Sequence, residues 1–589
     1  MRLRSLAPVL VMTLAIGGLA SARHREFEPP APFTLFGPGI GGATAAPAAP
    51  AFLTGSRIAV IGDGALAIDA DSGALFATDA TGKSTSQLAI GHDAGLLAFD
   101  PVAKVAYVAD RAGDRIVVVT TAAGLATRTS WKTPAEPYGV ALTPDRKTLL
   151  VTMIADRKLV AFDVATGRQR FATRLGQEPR GVAISPDGTR ALVSYLSSAM
   201  LDEVTLAGPT LRHLGVASRF EGELVRGSFA TTFLGDKLAV VPFQASRPGT
   251  PQTGESEENS GSYGGSFDPP ISHHLAFIAP ATGRQIAAEI AVQQPRAVAW
   301  DGASDVLYVA GMGTDSIVQI KRASQVDLAV GFHKRIAGCG PDGLAVAASG
   351  DVLVWCSFTR SIARLSKRLT RGPELVATAM TPTQHAGMVR FHTSSEHVSN
   401  FGQMACANCH FEGRADGVSW LIEKHNLQTP LLAGRMVGTE PFKWDGTAKD
   451  LETSLRQTTG RLGGTGLGKK QIGALAAYLR AMPAVRRPTA NAQATTRGAA
   501  LFESAGCTTC HDGARYTDQA RHRLGGTLKA ADTPSLVGLA ASAPYFHDGS
   551  AVTLEAVLRE RGGVHGMSET SKQLTDAQVA DLVAFLESL

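Results

Sequence analysis

Two repeats of different kinds predict a multidomain chain, an N-terminal all-β propeller of about seven blades followed by two all-α domains. A strand-and-turn unit recurs over residues 56–370, and a later helical stretch repeats itself at an offset of 103. The composition agrees with both. Of 589 residues, 44% are hydrophobic and 19% charged, the balance of a folded globular chain and not of a disordered one. Glycine numbers 63, above ordinary usage, as tight turns between short strands require. The net charge of +5 is small and dispersed, which argues against nucleic-acid binding.

The chain opens with Arg2 and Arg4, an apolar stretch from Leu6 to Leu19 and the small-residue run Ala20-Ser21-Ala22. This is the pattern of a secretory signal over residues 1–22. The apolar run is too short to span a bilayer, and no later segment reaches the ~18 apolar residues that a membrane helix needs. We therefore expect no integral membrane segment after cleavage, and a periplasmic or otherwise exported protein. Residues 23–55, rich in Ala, Pro and Gly, read as a linker.

The repeating unit is clearest in Gly139-Val-Ala-Leu-Thr-Pro-Asp145, followed by Thr148-Leu-Leu-Val151 and Leu159-Val-Ala-Phe162. It returns 42 residues later as Gly181-Val-Ala-Ile-Ser-Pro-Asp187, and again around Leu96, Ala297 and Gly343. Apolar runs split by Pro-Asp or Asp-Gly turns form meanders, and a period of about 40–45 residues is that of propeller blades. Starts near 56, 96, 140, 182, 228, 297 and 344 make seven blades, with the fifth weak in pattern. The segment resembles the YVTN-type bacterial propellers, with Tyr107-Val-Ala-Asp110 and Tyr308-Val-Ala-Gly311 where the tetrapeptide would stand. The polar insertion 247–272 reads as a long loop, either a lid or an excursion. His273 and His274 after it are assigned no metal.

Four of six cysteines lie in two C-x-x-C-H motifs, Cys406-Ala-Asn-Cys409-His410 and Cys507-Thr-Thr-Cys510-His511. This spacing is the attachment signature of c-type haem, in which two thiols bond the porphyrin and the adjacent histidine becomes the proximal iron ligand. The motifs predict two covalently bound haem c, on Cys406, Cys409 and His410 and on Cys507, Cys510 and His511. Cys339 and Cys356 remain, either as a disulfide, which an oxidising compartment permits, or as two buried thiols.

Around these motifs the chain is duplicated. Thr429-Pro430-Leu-Leu-Ala-Gly434 and Pro441-Phe-Lys-Trp444-Asp445-Gly446 correspond to Thr533-Pro534-Ser-Leu-Val-Gly538 and Pro544-Tyr-Phe-His547-Asp548-Gly549. The halves are 384–483 and 496–589, joined by a linker at 484–495. Paired haem motifs with W-D-G and H-D-G loops resemble the bacterial diheme cytochrome c peroxidase, or MauG-like, superfamily. The resemblance implies two cytochrome c-like domains, a Trp444 that assists electron transfer between the haems, and a redox partner such as a small cytochrome or cupredoxin. It also implies Ca²⁺ between the halves, near Gln428, where the family often has Asn.

Function turns on the sixth iron position, since a filled site transfers electrons and an open one reacts. In the second half His565 is the favoured distal ligand, with Met567 as the alternative, because Arg561 stands where the family has Met or Tyr. In the first half the offset leads to Thr458 and Leu462, neither a haem ligand; His425 is another candidate, and otherwise the first haem is five-coordinate or water-bound. The family's catalytic Glu beyond W-D-G is missing from residues 461–466. The expected function is a diheme oxidoreductase with haem 2 transferring electrons and haem 1 reactive. The alternative is a non-enzymatic electron carrier or redox sensor, with the propeller as a binding platform.

Overall fold

A computed structural model describes residues 54–218, 220–249, 270–326, 329–523, 528–559 and 573–589. The signal segment, the linker to residue 53, most of the 247–272 insertion, and Arg561, His565 and Met567 lie outside the described residues.

Each blade is a sheet of consecutive antiparallel strands, and there are seven, spanning 58–89, 94–132, 137–174, 179–213, 224–289, 295–335 and 341–371. The period-two pattern of side chains explains how they assemble. In the second strand of blade three, Thr148–Met153, every residue is buried. Leu149, Val151 and Met153 face the core shared with blade two, whereas Leu150 faces the core shared with blade four. Seven such cores occur, one between each pair of neighbours, including a last one that joins blade seven to blade one. The ring thus closes by packing, each blade keeping its own consecutive strands. Ser56 adds a clasp, exchanging backbone hydrogen bonds with Leu97 of blade two and donating its hydroxyl to the Leu344 carbonyl of blade seven.

The glycine of the repeated unit marks where inner strands approach each other. A Cβ on Gly139 would stand 2.2 Å from the Arg180 carbonyl oxygen. Blade five reads weakly because its inner edge is split. Leu224–Arg226 and Thr232–Leu234, three residues each, both pair with the long strand Leu238–Ser246. A disulfide joins Cys339 to Cys356, with a Cα separation of 4.4 Å, inside the core between blades six and seven.

The helical region begins with α1 (Pro382–His392) and continues through α2 (Cys406–Cys409), α3 (Leu451–Arg461), α4 (Lys469–Ala481), α5 (Ala492–Ser504), α6 (Leu554–Leu558) and α7 (Asp576–Glu587). It is not all-α, because Ser419–Ile422 pairs with His425–Gln428 in a hairpin and Arg521–His522 pairs with Ala531–Asp532. Two separate apolar cores form, one on α1, α3 and α4, the other on α5, α6 and α7. The two clusters repeat each other in detail. Phe442 bridges Ala448 as Tyr545 bridges Ala551, both Pro441 and Pro544 follow cis peptide bonds, and Lys443 and Phe546 both adopt left-handed φ. In each cluster a glycine lets two helices cross. Gly387 of α1 lies against Ala474 of α4, and Gly498 of α5 against Asp581 of α7.

Candidate functional site

Each C-x-x-C-H motif forms one tight turn. The His410 amide donates to the Cys406 carbonyl at 3.0 Å, and the His511 amide to the Cys507 carbonyl at 3.0 Å. This places each histidine beside both cysteines of its motif. None of the four cysteines is in a disulfide. Burial pushes the Cys406 thiol up to about 11, and it pulls the His410 imidazole down to about 4. A neutral imidazole is the ligating form. His511 is also held down by burial, and its Nδ1 lies 3.0 Å from the Tyr516 carbonyl, which directs Nε2 outward as a ligand. The Pro430 backbone faces the His410 ring and acts against the burial. The donor set and the neutral histidines fit haem at both motifs.

Trp444 stands between the two clusters. Its indole N–H donates to the Gln428 carbonyl of the hairpin at 2.7 Å, and its ring centre lies 6.5 Å from that of His547. The Gln428 amide donates to the His547 carbonyl at 2.7 Å, and the Asp532 amide to the Trp444 carbonyl at 2.9 Å. Gln428 itself is buried, with its side-chain nitrogen unpartnered. His425 is exposed at the turn of the hairpin. Leu462 packs near Cys409 with Met404, Val418 and Trp420. The Thr458 hydroxyl accepts from Lys443 Nζ at 2.6 Å. Sequence reasoning passed over Lys443, whose ammonium burial pulls down to about 8.

The two motifs differ most in what covers them. Thr508, Thr509, Asp512, Gly513 and Ala514 of the second are exposed. The first motif and the loop after it sit in the axial mouth of the propeller. Asn408 donates to Gln244 Oε1 at 3.0 Å and lies 3.1 Å from His273 Nε2, while Gln244 returns a bond to the Asn408 carbonyl. Phe411 stacks edge-on against Phe229 of blade five. Arg226 donates to the Asp416 carbonyl at 2.9 Å. Glu412 lies 3.3 Å from Arg180, 3.5 Å from Arg296 and 3.7 Å from Arg111. Arg414 pairs with Glu178 at 2.7 Å and with Glu136. The segment joining the helical clusters is held to the same face, by Arg486 on Asp114 and by Thr489 on Asp156.

The residues that make this docking were not expected, although a propeller covering the haem site was, and the chain carries a signal for them. Inner strands of four blades start with Glu136-Pro-Tyr-Gly139, Glu178-Pro-Arg-Gly181, Gln294-Pro-Arg-Ala297 and Gly340-Pro-Asp-Gly343. The residue before each proline has a left-handed φ, from 51° to 64°. Three of these four segments set a charged side chain into the buried cluster at the mouth, Glu136 from blade three, Glu178 and Arg180 from blade four, and Arg296 from blade six. A repeated polar-Pro-polar tetrad is a mark of an axial binding surface, since core packing has no use for it.

Burial pushes the Glu136 carboxyl up, but Arg414, Arg111 and Arg180 outweigh it and hold the group below the usual carboxylate range. A lowered folded value means that stability is present above the unfolded value, about 4.3, and is lost as pH falls through the folded one. Glu136→Gln is thus expected to be less stable than wild type at pH 7, with the difference shrinking as pH drops below about 4. Denaturation midpoints across that range check it.

Comparison with known proteins agrees with the site. A family model described as Cytochrome c matches residues 495–589. The methylamine utilization protein MauG of Methylorubrum extorquens is 28% identical over 328 aligned residues, which cover 43% of this chain and 92% of the relative. The gamma subunit of hydrazine synthase from Kuenenia stuttgartiensis is 24% identical over 258 residues, covering 32% and 72%. Among solved structures, Kuenenia stuttgartiensis hydrazine synthase superposes with a TM-score of 0.42 at 16% identity, covering 56% of this chain and 98% of that one.

Proposed function

We propose that this chain, a seven-bladed β-propeller fused to a cytochrome c region similar to MauG, is an exported diheme oxidoreductase of the peroxidase-like superfamily. Cys406 and Cys409 would tether the first haem and His410 hold its iron. Cys507, Cys510 and His511 would do the same for the second. When bound, haem supplies one-electron chemistry and, where its sixth position is open, a site for peroxide or oxygen. The second haem, with His565 or alternatively Met567 opposite His511, would accept electrons from a small cytochrome or cupredoxin. The first would be the reactive centre with an open sixth position, whereas His425 as its distal ligand would make it six-coordinate, as the carrier reading requires. Ca²⁺ would sit near Gln428, between the halves.

The observation that carries the reading is the position of Trp444, bonded to the hairpin of the first half and in ring contact with His547 of the second. Its side chain thus touches both halves of the duplication. Pyridine haemochrome analysis is expected to return about two haems per chain, falling to about one when Cys507 and Cys510 are both replaced by alanine. The ferric EPR spectrum is expected to show one high-spin and one low-spin centre. Trp444→Ala should slow electron exchange between them with haem content unchanged. Two low-spin centres, neither responding to peroxide after partial reduction, would instead favour a carrier.

A further inference from the structure

We propose that Glu412 is a positioning residue through which the arginine-lined mouth of the propeller sets the redox potential of the first haem. The inference deepens the function proposed above and rests on it. Glu412 follows His410 by two residues and carries a carboxylate of this loop into the arginine cluster at the mouth, whereas the buried Asp416 of the same loop accepts from Trp420 instead. It meets Arg180, Arg296 and Arg111 within 4 Å, and Arg414 from the same loop lies in the same cluster with Glu136 and Glu178. Counted together, these are four guanidiniums against three carboxylates largely shut off from water, with the half-exposed Asp93 also paired to Arg111. Guanidiniums of Arg180, Arg296 and Arg111 within 4 Å hold the Glu412 carboxylate in ion pairs inside this enclosed site. Charges in such a setting are weakly screened and act beyond their contacts. Net local charge and burial are among the levers that set a haem potential.

Among the described residues the second motif has no such partner. Asp512 and Gly513, the counterparts of Phe411 and Glu412, are exposed. The propeller therefore acts on one haem of the pair and gives two otherwise duplicated centres unlike surroundings.

The test is a spectroelectrochemical titration of the full-length protein with both haems attached, wild type against Glu412→Gln and Arg296→Met. Methionine keeps the apolar stem that covers Phe229, where Arg296 now stacks. Deleting the carboxylate leaves excess positive charge and favours the reduced iron. On the order of a tenfold gain in the ferrous-to-ferric ratio of the first haem is expected, ~59 mV upward. Arg296→Met should move the same haem downward, Glu412→Asp should return it toward wild type, and the second haem should not move. Opposite shifts from opposite charges separate an electrostatic role from simple loosening, which would move both variants the same way. If Glu412→Gln does not fold, Arg296→Met and Glu412→Asp carry the test. Two haems with an unmoved first potential, with shifts of equal sign, or with an equal shift of the second haem would overturn the inference alone. A wild-type protein with fewer than two haems would overturn the proposed function as well.

Discussion

Arg414→Met is expected to destabilise the full-length protein by roughly 3–5 kcal/mol, because it breaks a buried ion network from one side. Arg414 comes from the loop after the first haem motif, and its guanidinium bridges Glu178 of blade four and Glu136 from the entry to blade three. All three side chains are less than one-tenth exposed. Removing the cation leaves two carboxylates in a site that water does not reach, and Arg111 and Arg180 can serve them only in part. The effect should appear as a lowered denaturation midpoint. It should be partly reversed in the triple variant that also carries Glu136→Gln and Glu178→Gln, since the unpaired charges are then gone. A loss under about 1 kcal/mol would mean that the loop is not held by this network.

The second large effect concerns the helix crossings. A Cβ on Gly387 would fall 2.0 Å from the Ala474 carbonyl oxygen, and one on Gly498 would fall 2.0 Å from that of Asp581. The obstacle is helix backbone in both cases, so the helices must part. Gly387→Ala and Gly498→Ala are each expected to lose about 1–3 kcal/mol despite the better helix propensity of alanine. The two should act on different halves. Gly498→Ala should loosen the cluster of α5, α6 and α7 and perturb the Soret and EPR signals of the second haem, leaving those of the first in place. Gly387→Ala should do the reverse. Equal disturbance of both signals by either change would show that the clusters do not behave as separate units.

Much of this architecture is legible in the chain because its signals are local. The blade period shows in runs such as Thr148–Met153, where the unit is short and its turns are chemically marked. The fifth blade reads poorly because two three-residue strands share one partner, too short a pattern for alternation to show. The duplication is visible in W-D-G and H-D-G because those loops hold the same unusual backbone, down to the left-handed Lys443 and Phe546. The hairpin at Ser419–Gln428 and the burial of Lys443 were not visible, since both depend on what packs around them.

The two C-x-x-C-H motifs, the propeller period and the two-fold repeat of the helical region were determined by the sequence itself, as each is written within a few tens of consecutive residues. Only the tertiary structure decided that the first motif is enclosed by the propeller while Thr508, Thr509 and Asp512 at the second are exposed. That choice is made by pairs such as Arg414 with Glu136, 278 residues apart, and Asn408 with Gln244, 164 apart. Complementary charge and shape across such distances leave no periodicity in the chain, because either partner alone is only a polar residue on a loop.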